Sequence, residues 1–132
     1  MSNADLNELE IAPPAVVSQA ARGFAEALAE TPEFMAFEQA ASAMNDDAMA
    51  EQARIAFQTK QQSLQALLRL NAVSAQDQAE LERLRQAFLS LPTVAAYARA
   101  EADLVAVCQA AGDLLSHHIG IDIAAVCASG CC

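Results

Sequence analysis

Four prolines divide this 132-residue chain and fix where its elements can begin. Proline lacks a backbone N–H and its ring clashes with the preceding turn, so it breaks a helix interior yet suits a first helical position. Pro13-Pro14, Pro32 and Pro92 each precede a long proline-free stretch. Those stretches hold most of the 32 alanines and are interrupted by only four glycines. Alanine is the strongest helix former and glycine among the weakest, so the stretches read as helices. Aromatics are few and β-branched residues are scattered rather than run together, which leaves little to build strands from. The expected class is all-α, in one domain.

The periodicity predicts five helices. Helix one spans about 14–30 with Val16, Ala20, Phe24, Ala27 and Leu28 on one face. Thr31-Pro32-Glu33 supplies an N-cap hydroxyl, a first-position proline and a first-turn acid. The second helix then runs to about Met44, with Phe34, Phe37, Ala41 and Met44 in line. Asn45-Asp46-Asp47 caps a long helix three over about 47–71, whose stripe is Met49, Ala53, Phe57, Lys60, Leu64 and Leu67. Ser74 and Asp77 form a capping-box pattern that starts helix four, about 75–90, with Leu81, Leu84, Phe88 and Leu91 inward. Helix five covers about 93–119, with a seam of Val94, Tyr97, Glu101, Leu104, Cys108, Ala111, Leu115 and His118 stopped by Gly120.

Helices three and five are each roughly 38 Å long and are expected to pair as an antiparallel hairpin joined through helix four. Residues 1–12 read as a flexible N-terminus, 13–120 as the helical domain and 121–132 as a cysteine-bearing tail. A core of Ala, Leu and Val lets helices approach closely but fills little volume. That favours long contacts or a second subunit.

Charge removes several function classes. The net charge is −10, with seven Lys and Arg spread along the chain, so no basic cluster is available to neutralise phosphates. The same charge repels an anionic membrane surface. No apolar run approaches the ~18–20 residues that span a bilayer. Met1–Asp5 has neither a basic region nor an apolar stretch and so does not read as a signal peptide, which points to the cytoplasm. The four cysteines are therefore expected in a reducing compartment, where clustered thiols signal metal or redox chemistry more than structural disulfides.

Three of those thiols, Cys127, Cys131 and Cys132, fall within six residues. Thiolates select zinc, copper(I) or iron–sulfur clusters. A cluster usually takes four cysteine ligands, so this tail is one short. Cys131 and Cys132, being adjacent, are also poorly placed to hold one tetrahedral ion together. Cys108 lies within reach of an extended tail but sits in the predicted seam, where a free cysteine behaves as a small hydrophobe. The core is its expected place. His117 and His118 are secondary metal candidates and otherwise complement the negative end of their helix. Asp46, Asp47 and Glu51 resemble a cation site, but helix capping accounts for them. Met35, Met44 and Met49 read as core or interface fillers. The isolated glycines form no phosphate loop, and no nucleophile–base pair stands out, so no catalytic residue is assigned.

The order Thr31-Pro32-Glu33-Phe34, then Ala41, Met44-Asn45-Asp46, then Leu91-Pro92-Thr93-Val94, Tyr97 and Ala100, then Ile119-Gly120-Ile121-Asp122, resembles the YlbF/YmcA family of bacterial regulatory proteins. The closing Cys127-x3-Cys131-Cys132 is similar to the cysteine tail of part of that family. The resemblance implies a small helical, non-enzymatic protein that forms homo- or hetero-oligomers with itself or a paralogue. It further implies association with a complex that carries iron–sulfur clusters and influences mRNA processing by an endoribonuclease. Under it, Cys127, Cys131 and Cys132 contribute to a cluster shared between chains. A zinc site, a thiol redox switch and an inert tail with no cofactor stay open as alternatives.

Overall fold

In the computed structural model, which describes residues 14–126, Pro14, Pro32 and Pro92 each open a helix. Seven helices follow one another among the described residues, with no strand: α1 (Pro14–Ala29), α2 (Pro32–Asn45), α3 (Ala48–Ser63), α4 (Gln65–Arg69), α5 (Ala75–Leu89), α6 (Pro92–Ile119) and α7 (Ile123–Val126). The all-α class is as expected; the five-helix count is not. The predicted third helix divides at Leu64. There the Ser63 hydroxyl donates back to the Lys60 carbonyl at 2.7 Å, and Leu64 turns inward to 6 % exposure. Such back-bonding competes with the helical ladder and bends it. The seventh helix is a single turn inside what the sequence suggested was tail.

The caps form largely as the residue types require. Thr31 Oγ1 accepts from the Phe34 amide at 3.2 Å and also donates to the Leu28 carbonyl at 2.6 Å. Ser74 Oγ accepts from the Asp77 amide at 3.1 Å. The Asp77 carboxylate does not complete a reciprocal box; it accepts from the Ser74 hydroxyl and from Lys60 Nζ instead. Gly120 ends α6 at φ 71°, the left-handed region that costs glycine least.

Three contacts set the topology. Phe37 and Tyr97 rings lie 5.4 Å apart, Thr93 Oγ1 donates to Asp47 Oδ2 at 2.6 Å, and Lys60 Nζ meets Asp77 Oδ1 at 2.8 Å. Going from Phe37 through Asp47 to Lys60 the chain advances, while their partners Tyr97, Thr93 and Asp77 recede. A single antiparallel register therefore runs from α4 at the tip to the far end of α2. One arm is α2 followed by α3, and the other is α5 followed by α6; α2 packs on α6 and α3 on α5. The expected pairing of α3 with α6 is not what forms: the register set at the break of the two arms places α3 on α5 and α2 on α6.

Very little is buried. Ala50, Leu64, Val94 and Ala100 are the only core residues among those described. The inward face of α6 runs through Val94, Tyr97, Ala100, Leu104, Val107 and Ala111. Glu101, Cys108, Leu115 and His118, assigned to that seam by periodicity, are exposed. Met49 stands 66 % exposed although it was assigned to the α3 stripe.

This register makes a test. Ala100→Leu adds volume where α2 and α6 approach, and should destabilise the chain by about 1–3 kcal/mol in chemical denaturation. Ala102→Leu, two residues on and exposed, should change stability by less than about 0.5 kcal/mol at the same protein concentration. Equal effects would place the seam elsewhere.

Candidate functional site

Both arms break at the same level. α2 ends at Asn45 and α3 begins at Ala48, while α5 ends at Leu89 and α6 begins at Pro92. Asp47 ties this waist together. Its Oδ1 accepts from the Met49 and Ala50 amides at 3.0 and 3.3 Å, capping α3, while its Oδ2 accepts from the Thr93 hydroxyl on the opposite arm. The Thr93 bond, together with those two amides, holds the Asp47 carboxyl below its ordinary pKa against a weaker opposing effect of desolvation. Lys60 and Ser74 act on Asp77 in the same direction. The recess at the waist, lined by Met44, Asn45, Ala50 and Phe88 among others, has a volume of about 60 Å³. That is too small for a metabolite-sized ligand.

Beyond α2, the molecule offers a second kind of surface. Following the register, the start of α2 at Pro32 lies opposite the middle of α6, so the second half of α6 overhangs its partner. Val105, Leu114, Leu115 and Ile119 on that overhang are exposed. α1 adds another unpartnered face, since Val16, Val17 and Phe24 are exposed and no residue of α1 is buried. Val16 and Phe24 belong to the apolar face predicted for helix one; among the described residues nothing buries them. Solvent faces elsewhere carry i,i+3 ion pairs, Glu51–Arg54, Glu80–Arg83 and Glu82–Arg85. With Lys60 also paired to Asp77, four of the seven basic side chains are occupied by the chain's own acids.

At the end of the overhang, Gly120 turns the chain and α7 folds back. The Ile123 amide donates to Ser116 Oγ at 3.1 Å, and Asp122 Oδ1 caps α7 by accepting from the Ala125 amide at 3.2 Å.

Residues 17–120 match the family model described as control of competence regulator ComK, YlbF/YmcA. The chain belongs to the YlbF/YmcA family. Comparison with curated proteins and with solved structures returned no match. The YlbF/YmcA match ends at Gly120, so α7 and the cysteine tail lie beyond it.

The tail candidates of this YlbF/YmcA chain, Cys127, Cys131 and Cys132, lie outside the described residues. His117 and His118 stand exposed on the last turn of α6 with their rings 5.9 Å apart and edge-on. Among the described residues no group of three or more His, Cys, Asp or Glu side chains is gathered to hold a metal. None of the described helices is long and apolar enough to cross a membrane. Asp46 and Asp47 act as helix caps, in line with the capping reading of the sequence. Two features escaped the sequence. The Asp47–Thr93 tie joins residues 46 apart, and no local pattern announces it. Cys108 proved exposed, because the true seam passes one residue away through Val107.

The depressed Asp47 value gives a pH prediction with a definite sign. A group whose pKa is lowered on folding contributes stability that is present above its unfolded pKa, about 3.9, and lost as pH falls through the folded value. Helical content followed by circular dichroism should fall on acidification below about pH 4. Asp47→Asn should be less stable than the parent at neutral pH and show a shallower acid limb, with Asp77, Glu51, Glu80 and Glu82, whose carboxyls are also held below their ordinary pKa, responsible for what dependence is left. An acid limb unchanged by the substitution would contradict this role of Asp47.

Proposed function

We propose that this YlbF/YmcA protein is a non-enzymatic cytoplasmic regulator that works by associating with other chains. The observation that carries this reading is the mismatch between what the fold buries and what it exposes. Four residues form the core, whereas α1 and the overhang of α6 present Val16, Val17, Phe24, Val105, Leu114 and Leu115 to solvent. Exposed apolar residues in this number, against so small a core, mark a protein interface. Copies of this chain, or a paralogue with the same hairpin, are the proposed occupants. Any influence on RNA processing runs through a partner such as an endoribonuclease complex, because a net charge of −10 and seven scattered basic residues, four of them ion-paired, leave no phosphate-binding surface.

Within such an assembly, Cys127, Cys131 and Cys132 are proposed to supply thiolate ligands to a shared iron–sulfur cluster, with His117 and His118 as secondary candidates. The support is chemical: three soft donors lie within six residues, one fewer than a cluster usually takes, which points to a ligand from elsewhere. Bound there, the cluster would make the assembly sensitive to oxidation.

Sedimentation analysis of the full chain at micromolar concentration is expected to give a mass above one chain. Phe24→Asp with Leu115→Asp should shift it to the monomer without loss of helicity. A wild-type chain that stays monomeric and captures no paralogue overturns the association. Anaerobic co-expression with its genomic neighbours should yield broad absorbance near ~400 nm that Cys127→Ser with Cys131→Ser removes. Stoichiometric colourless zinc, or a reducible disulfide with no metal, would replace the cluster by one of the alternatives.

A further inference from the structure

Two apolar faces that this chain leaves uncovered match each other in length and in their lack of charge. α1 has 16 residues, about 24 Å, and its apolar face runs through Val16, Ala20, Phe24 and Ala27 at steps of three and four. Its only charged residues, Arg22 and Glu26, fall on the other side of the helix at ~100° per residue. The overhang is the second half of the 28-residue α6, roughly 21 Å long. Along it the side that packs on α2 continues as Leu104, Val107, Ala111 and Leu115. Asp113 is the overhang's one Asp, Glu, Lys or Arg, and two residues from both Ala111 and Leu115 it lies on the far side. Within one chain neither face covers the other. Thr31, between α1 and α2, is extended at φ −70° and ψ 145°, and its hydroxyl donates to the Leu28 carbonyl and accepts from the Phe34 amide. α1 therefore turns out of the line that α2 follows along α6. It packs on α2 rather than on α6, and none of its residues is buried.

We infer that α1 of each chain lies on the α6 overhang of a second copy, in a reciprocal exchange about a two-fold axis. This rests on the self-association proposed above and names the two surfaces that meet. Area decides between the exchange and simpler pairings. A helix face about 24 Å long and ~10 Å wide offers roughly 240 Å². Pairing α1 with α1, or overhang with overhang, joins two such strips and stays near ~500 Å², the size of a packing contact between crystal neighbours. Exchange joins four strips and reaches about 1,000 Å², the least that a specific interface needs. It also closes on itself, because both faces of each copy are then covered and association stops at two chains. Neither strip carries an acid or a base into the contact, so two chains of net charge −10 can meet there with their charges turned outward.

Photo-crosslinking of the full-length chain tests the exchange. The photoreactive variant is Phe24→p-benzoylphenylalanine, which keeps an aromatic ring on the apolar face of α1. Isotope-labelled and unlabelled chains are mixed in equal amounts, equilibrated and irradiated, and the crosslinked peptides are mapped by mass spectrometry. Sedimentation of the same sample gives its oligomeric state. Crosslinks from position 24 are expected to join a labelled to an unlabelled chain and to fall in α6 between Leu104 and Ile119. Leu115→Asp, on the overhang, should lower that yield about tenfold with helicity unchanged, because burying one leucine is worth about that factor or more in affinity. A dimer whose crosslinks stay inside one chain, run from α1 to α1, or miss α6 overturns the exchange and leaves self-association standing. So does a dimer whose crosslinking is indifferent to Leu115→Asp. A sample that sediments as a monomer overturns the self-association and the exchange together.

Discussion

Everything in this fold hangs on a carboxylate that does two jobs at one point. Asp47 uses one oxygen to cap α3 and the other to hold Thr93 at the start of α6. Each arm of the hairpin is broken there, α2 from α3 and α5 from α6, so the backbone alone gives the waist no continuity. A broken helix leaves unpaired amides on one side of the gap and unpaired carbonyls on the other. Capping satisfies the amides, and the Thr93 bond makes the two breaks register with each other. Two of the four buried residues, Ala50 and Val94, sit three and one positions from that bond's partners. The small core at the waist and the polar tie thus position one another.

From this waist the two halves have different needs. Toward the tip, α3 and α5 are fastened by Lys60–Asp77 and by Leu64, and α4 closes the turn with Asn71 at φ 51°. Away from it, α2 covers only the first half of α6. Alanines on the facing surfaces, Ala36, Ala40, Ala96 and Ala100, let these helices approach closely, but they contribute little area. With two arms only one helix thick, no third layer covers the outward apolar residues. Domains normally bury their apolar faces between packed layers. Under the proposed function another chain supplies that layer, which would make the fold and the regulatory role two aspects of one arrangement.

The sequence carried much of this, and where it failed the reasons are specific. Helix starts were legible because Pro14, Pro32, Pro92, Thr31, Asp47 and Ser74 act within their own turn. The end of α6 at Gly120 was legible for the same reason. The seam of α6 was not, because Ala, Val, Leu and Cys surround its whole circumference and periodicity could slip by one residue, exchanging Val107 for Cys108. Helix pairing was missed because it depends on the register across the waist, which Asp47 and Thr93 set over 46 residues. The inward face assigned to α1 was a sound reading of amphipathicity, but nothing local tells whether that face meets its own chain or another. Cys127, Cys131 and Cys132 were found by clustering alone, and their partners depend on tertiary placement.

The placement of α7 bears on how such a tail can function at all. Three thiols on a free terminus would pay the full entropy of being ordered whenever they closed on a ligand, which weakens any site they form. The turn at Gly120, the Ser116–Ile123 bond and the Asp122 cap remove part of that cost in advance. They fix the chain's direction up to Val126, one residue before the first tail cysteine. Preorganisation of this sort raises affinity without adding a contact. It also means that a shift of the α6 overhang, as when another chain covers it, displaces the anchor of the tail. The proposed association and the proposed thiol chemistry would in that way meet at one end of a single helix.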